Sequence, residues 1–345
     1  MTAAEGRTTR RQIDRRVPLL AAAAIVAVVA WLAGGALPLL GPAVIALLLG
    51  ATIRVLGPLD PSMTAVAAAL GARLLQVSIV LLGLSVNVAD VLSVAWTSLP
   101  VMLGTLGVGL VGIWLMGRWL GVDAPLRGLL TVGTSICGAS AIAALAPVVG
   151  AGSAEIAYAV SVVFLFNVSA VVAFPVIAHA LNLSGDSFAV WAGTAINDTS
   201  SVLAAGFAFG SGTAAYAAVV KLSRTLMILP VTIGAAMLLP DGDKGLAARG
   251  RAAFRRALPW FIVAFLGGSL LNGVGLVPHD AARAAGNLAQ LGTVLALATI
   301  GLGTDIRAFR RAGPRPLVLG LAGWCLVAVT SLALQAATGL LTRTP

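Results

Sequence analysis

The sequence is poor in charge, in histidine and cysteine, and in aromatic side chains. Only 10% of its 345 residues are Asp, Glu, Lys or Arg, against roughly 25% in a soluble domain, which excludes an ordinary soluble globular fold. It has two histidines and two cysteines. Cys137 and Cys325 stand far apart, so the chain offers neither a disulfide framework nor a metal set with Cys/His spacing. Asp198 and His179 belong to separate apolar segments with no nucleophile beside them, which argues against enzyme chemistry. No cofactor motif occurs. The formal charge of +10 would suit nucleic acid, but the arginines fall in short runs between apolar stretches. They read as topology signals rather than as a basic binding face.

Apolar sequence is what the chain has in abundance: 59% of residues and a mean hydropathy of +1.02. Eleven windows approach the roughly 20 residues that a helix needs to cross a bilayer: 17–35, 38–56, 64–86, 98–118, 126–149, 154–180, 188–208, 213–239, 257–275, 283–303 and 315–337. The first follows a basic stretch, but it is long and no cleavage site follows, so it reads as an uncleaved helix. Arg7, Arg10, Arg11, Arg15 and Arg16 precede it, and alternate loops hold Arg118 and Arg127, the run DGDKGLAARGRAAFRR, and RAFRRAGPRP. The opposite loops are almost free of Lys and Arg. By the positive-inside rule the N-terminus is cytoplasmic and the C-terminus periplasmic or extracellular.

Internal similarity adds to this. Residues 82–89, LGLSVNVA, resemble 300–307, IGLGTDIR, and LLLGAT at Leu47 resembles FLGGSL at Phe265. Their odd separation in span number implies inverted structural repeats, a common carrier construction. The expected fold is therefore an all-α polytopic membrane protein of about eleven transmembrane helices, with inverted repeats and two broken or re-entrant segments. A basic tail at 1–16 precedes one transmembrane transporter domain at 17–337, with scaffold spans at 38–118 and 257–337 and core spans at 126–239.

The two broken segments are LLTVGTSICGASAIAALAPVVGA from Leu129 and WAGTAINDTSSVLAAG from Trp191. Each places a Gly-Thr pair, Gly133-Thr134 and Gly193-Thr194, before a polar cluster. Unpaired backbone in hydrocarbon costs several kcal/mol, so such breaks survive only against protein or a watery cavity. Thr134, Ser135, Cys137, Gly138, Ser140, Asn197, Thr199 and Ser200 are candidate substrate ligands, although Gly, Ser and Thr also serve close helix packing. Lys221 and Arg224, three apart, share one helix face deep in an apolar segment. Two buried cations call for an anion, either a carboxylate (Asp198 or Glu155) or a substrate. Asp198 is a candidate for proton coupling or a fixed counter-ion. Asn167 and Ser169 are placed to face the same cavity, and His179 is a lesser relay candidate. Asn87 and Asp305 are helix caps or ion ligands. Arg73, near Gln76 and Ser78, reads as a further buried cation.

GTSICGASAIAALAPV, GTAINDTSSV and VVKLSRTLMILPV, in this order, resemble the bacterial sulfate exporter family, long known as conserved hypothetical inner-membrane proteins. Thr134, Ser135, Cys137, Gly138, Ser140, Asn197, Asp198, Thr199, Lys221 and Arg224 fall in its characteristic stretches. The resemblance implies secondary active export of a small oxyanion (sulfate, sulfite or an organosulfonate) by alternating access. It also implies an architecture like the bile-acid/sodium symporters and cation–proton antiporters, and an inner-membrane location. A coupling proton is expected, with sodium the alternative. The expected partners are the anionic substrate, the lipid bilayer and a second copy in a homodimer. A sodium-coupled organic anion symporter and an anion channel are the competing readings.

Overall fold

The computed structural model describes residues 3–36, 41–57, 61–237, 260–303 and 314–342. The arginine-bearing loops at 241–256 and 307–313, and Asp305, lie outside them. Fourteen helices are found among the described residues: α1 (Ala3–Ala36), α2 (Gly41–Leu56), α3 (Pro61–Leu84), α4 (Val88–Trp119), α5 (Ala124–Ser135), α6 (Ala139–Val149), α7 (Ser153–Ala180), α8 (Gly185–Ala195), α9 (Thr199–Phe209), α10 (Ser211–Thr225), α11 (Ile228–Met237), α12 (Trp260–Gly273), α13 (His279–Leu302) and α14 (Pro314–Ala337).

The expectation of eleven spans is not met. Among the described residues six helical stretches are long and apolar enough to cross a membrane: 66–84, 88–119, 153–180, 212–235, 279–302 and 314–337. Length decides the difference, not hydropathy. The window 126–149 divides into helices of 12 and 11 residues, about 18 and 16 Å long at 1.5 Å per residue, against a hydrocarbon layer of about 30 Å. The window 188–208 divides into α8 and α9, 11 residues each. Within 38–56 and 257–275 the described helical residues number 16 and 14, and within 17–35 the apolar stretch is Leu19–Gly35. No inverted duplication or re-entrant arrangement is identified among the described residues, so the repeat-based architecture is withdrawn with the span count.

α4 shows how a long span is built. Asn87 caps it, its side chain accepting the N–H of Ala89 at 2.8 Å. Trp96 and Trp119 are 77% and 88% exposed, and the helix between them is about 34 Å long. Leu103, Val108, Val111 and Leu115, also exposed, lie between the two tryptophans. Aromatic rings at both ends of an apolar stretch match the two membrane–water interfaces.

Between membrane helices burial of apolar surface gives little drive, so packing and polar contacts must hold the bundle. α13 runs along α2 and α3, while α14 packs on α4, α5 and α8. In the centre Phe174 of α7 stacks on Trp191 of α8, with ring centroids 4.2 Å apart, and the Trp191 indole N–H donates to Ala328 O at 3.0 Å. Thr194 pairs with Ser331 of α14 through their hydroxyls at 2.6 Å. The chain after α14 folds onto the start of α8, where Ser187 donates to Leu340 O at 3.0 Å and accepts the N–H of Thr342 at 2.7 Å.

Candidate functional site

Two three-residue interruptions, Ile136–Gly138 between α5 and α6 and Ile196–Asp198 between α8 and α9, meet in the interior. The first depends on Gly138, at φ +68° and ψ −128°, a region that side chains with a Cβ avoid. Its N–H donates to Gly133 O at 2.9 Å, closing the end of α5. A Cβ on Gly138 would lie 3.7 Å from Asn197 Cβ and 3.8 Å from Asn167 Nδ2, so the two interruptions and α7 converge there.

Asn167 holds the second interruption. It is 3% exposed, and its Oδ1 accepts the backbone N–H groups of Asn197 and Asp198 at 2.9 and 3.3 Å. Asp198 then caps α9: its Oδ2 accepts the N–H groups of Ser200 and Ser201 at 3.0 and 3.2 Å, and the Ser200 hydroxyl as well. One buried amide and one carboxylate thus satisfy four backbone donors that the interruption and the start of α9 would leave open.

Lys221 and Arg224 reach the interruptions from α10. Their approach needs Gly193, where a Cβ would lie 2.7 Å from Val220 Cβ and 2.9 Å from Ala217 O; glycine lets α8 and α10 touch backbone to backbone. Both cations are fully buried. The Lys221 ammonium donates to Ile136 O at 2.7 Å and to Ile196 O at 2.8 Å. Arg224 donates through Nη2 to Ser135 O. The cations therefore sit on the negative C-terminal ends of α5 and α8. Among the described residues neither has a carboxylate oxygen within 4.0 Å. Pairing with Glu155, one reading of the sequence, does not occur: Glu155 accepts the N–H of Gly152 at the start of α7, at 2.7 Å.

The charge balance leans positive. A helix end carries about half an elementary charge, so the two C-termini offset about one cation, and the N-termini of α6 and α9 roughly cancel Asp198; about one positive charge remains. Buried atoms without partners gather nearby: Nε and Nη1 of Arg224, Oγ of Ser135, Oγ1 of Thr131 and Oδ1 of Asn197. Each would cost about 1–3 kcal/mol if left permanently unpaired.

Of the sequence candidates, Ser135, Cys137, Gly138, Asn167, Asn197, Asp198, Ser200, Lys221 and Arg224 come together at this crossing. Thr134 is buried on α5 and Thr199 half-buried at the start of α9. Ser140 is exposed in the first turn of α6, whose N-cap Gly138 supplies no side chain. Other candidates go elsewhere. His179 is exposed at the far end of α7, bonded to Pro175 O at 2.7 Å and lying against Phe209. Ser169 is exposed and donates to Leu165 O. Arg73 is exposed on α3 rather than buried. Cys137 is buried and Cys325 exposed. The sequence reading missed the bond from Thr194 to Ser331; two hydroxyls in separate apolar helices were the only sign of it.

No group of three or more His, Cys, Asp or Glu able to hold a metal occurs among the described residues. No solved structure matches the chain. A UPF0324 membrane protein of Streptococcus pyogenes serotype M6, M6_Spy0799, is 35% identical over 94% of this chain and 98% of its own. UPF0324 membrane proteins of Clostridium tetani and Fusobacterium nucleatum are each 33% identical, over 92% of this chain and 95% and 96% of theirs. These relatives are named as membrane proteins, not as enzymes. The model for the family described as Conserved hypothetical protein 698 matches residues 18–320. With six helices fit to cross a bilayer, relatives along nearly its whole length and that match, the chain is a multi-pass membrane protein that belongs to the Conserved hypothetical protein 698 family.

Proposed function

We propose that this protein is a secondary carrier that exports a small oxyanion (sulfate, sulfite or an organosulfonate) by alternating access. The observation that carries this reading is the pair Lys221 and Arg224, both fully buried, without a carboxylate within 4.0 Å among the described residues. A net positive interior is costly in a membrane unless an anion visits it.

The anion's seat lies at the first turn of α6. Backbone N–H groups of that turn and the hydroxyls of Ser140 and Thr199 supply donors, and the partial positive charge of a helix start favours an oxyanion. Thr134, Ser135, Cys137, Gly138, Asn197 and Ser200 form its inner wall. Lys221 and Arg224 supply charge from behind the interruptions rather than by lining the seat. Asn167 fixes the second interruption in place. Asp198 is the coupling group, and proton uptake there offsets the charge of the moving anion. The five arginines ahead of the first apolar stretch, Arg7, Arg10, Arg11, Arg15 and Arg16, support a cytoplasmic N-terminus.

The test is thermal stabilisation of purified protein in detergent by sulfate, sulfite, ethanesulfonate, phosphate, acetate and sodium. The comparison is between wild type, Ser140→Ala and Lys221→Met. A sulfur oxyanion should stabilise wild type and lose most of that effect in both variants. Stabilisation by sodium alone, unchanged in Lys221→Met, would replace this reading with sodium-coupled transport. Large unitary conductance in bilayers would replace it with a channel.

A further inference from the structure

A cavity of about 400 Å³ opens beside the start of α10, away from the crossing. Its walls come from the end of α3, the start of α4, the end of α9, the first turns of α10, and α13. Leu82, Phe207 and Ala215 give it an apolar floor; Asp90 of α4 and Arg283 of α13 bring opposite charges to it, with the His279 imidazole beside Arg283 on the basic side. Tyr216, Asn87, Asn287 and Gln290 add neutral donors and acceptors. Small-molecule sites have this character, an apolar surface with a few placed polar groups in about 300–1,000 Å³.

We infer that this cavity binds a small zwitterion, a solute with an amine cation at one end and an acidic oxyanion at the other. Asp90 recognises the amine and Arg283 the oxyanion. A simple anion is repelled by Asp90 and a simple amine by Arg283; only a solute carrying both charges satisfies both walls. Arg283 is available for this. Its contact with Asp280 is 3.9 Å long between side chains 77% and 98% exposed, and exposed pairs of that kind contribute little.

The cavity is a separate site from the crossing. Ala215 and Lys221 are both on α10, about 9 Å apart along its axis, and the buried apolar side chains Leu203, Phe207, Ala218 and Leu222 fill the space around α9 and α10. Binding here is read without transport, so it stands or falls independently of the oxyanion seat.

Equilibrium dialysis of full-length protein in detergent with labelled 3-aminopropanoate tests it, with propanoate and propylammonium as single-charge competitors. Wild type should bind the zwitterion saturably, and each competitor should be at least about tenfold weaker. Asp90→Asn and Arg283→Gln, at exposed positions where substitutions seldom harm folding, should each weaken binding by about tenfold or more. Absence of saturable binding to wild type up to about 10 mM overturns the inference. So does propanoate competing equally while Asp90→Asn has no effect. A loss seen in Lys221→Met and in neither cavity variant assigns the binding to the crossing and overturns it as well.

Discussion

Lys221 spans the two interruptions: its ammonium is 2.7 Å from Ile136 O and 2.8 Å from Ile196 O. One side chain thus ties the end of α5 to the end of α8. Met has a stem of similar length but no donor. Lys221→Met relieves the desolvation of a buried charge and its repulsion with Arg224, yet it strands two carbonyls at about 1–3 kcal/mol each. The stranded carbonyls should prevail, lowering stability by about 1–3 kcal/mol. Thermal unfolding in detergent measures this, and a variant as stable as wild type would show that the tie is structurally idle.

Gly138 separates backbone strain from crowding. Its φ of +68° with ψ −128° is hostile to any Cβ, whereas the space around it is ordinary, with Val163 at 3.4 Å from the modified position. Gly138→Ala should therefore cost about 1–3 kcal/mol through strain alone. Gly107, inside α4, has nothing within 4 Å of an added Cβ. Gly107→Ala should be neutral or stabilise by up to about 1 kcal/mol, because Ala loses less backbone entropy in a helix. Unfolding measured on both variants should show a loss for Gly138→Ala and no loss for Gly107→Ala.

The grouping of polar residues was legible in the sequence; their orientation was not. The Gly-Thr pairs marked where Thr134–Gly138 and Asn197–Ser200 would lie, and a spacing of three put Lys221 and Arg224 on one face. Hydropathy averaged over a whole window could not count 126–149 and 188–208 as two short helices each, because apolar residues flank both interruptions. It counted spans that length forbids. Nor could it tell that Ser169 and Arg73 face outward while Asn167, two residues from Ser169, faces in. That depends on helix register, and in helices apolar all round no hydrophobic stripe sets the register. The cations looked like substrate ligands because carbonyl partners at helix ends leave no trace in side-chain sequence.

Asn167 should prove a positioning residue. Its Oδ1 accepts two backbone N–H groups, so Asn167→Leu leaves both unpaired in a buried place and should destabilise by about 2–5 kcal/mol. Asn167→Asp keeps an acceptor at the same point. If Asn167 acts by holding the second interruption, the aspartate should recover most of the stability lost in the leucine variant. Equal loss in both would mean that the Nδ2 side of the amide matters more. Thermal unfolding of the pair decides it.

Asp198 allows charge to be removed without removing the cap. Asn and Asp cap helices about equally well, while Ala costs about 1 kcal/mol. Asp198→Asn should therefore leave stability within about 0.5 kcal/mol of wild type, and Asp198→Ala should lower it by about 1 kcal/mol. The neutral variant also makes the crossing more positive, so the affinity for a sulfur oxyanion should rise. If proton uptake at this carboxylate couples transport, Asp198→Asn should still exchange anions across proteoliposomes but no longer respond to an imposed pH gradient. Retained response to the gradient would move coupling away from Asp198 and leave it as a cap alone. Tighter anion binding with the gradient response lost is the combination that the proposed carrier requires.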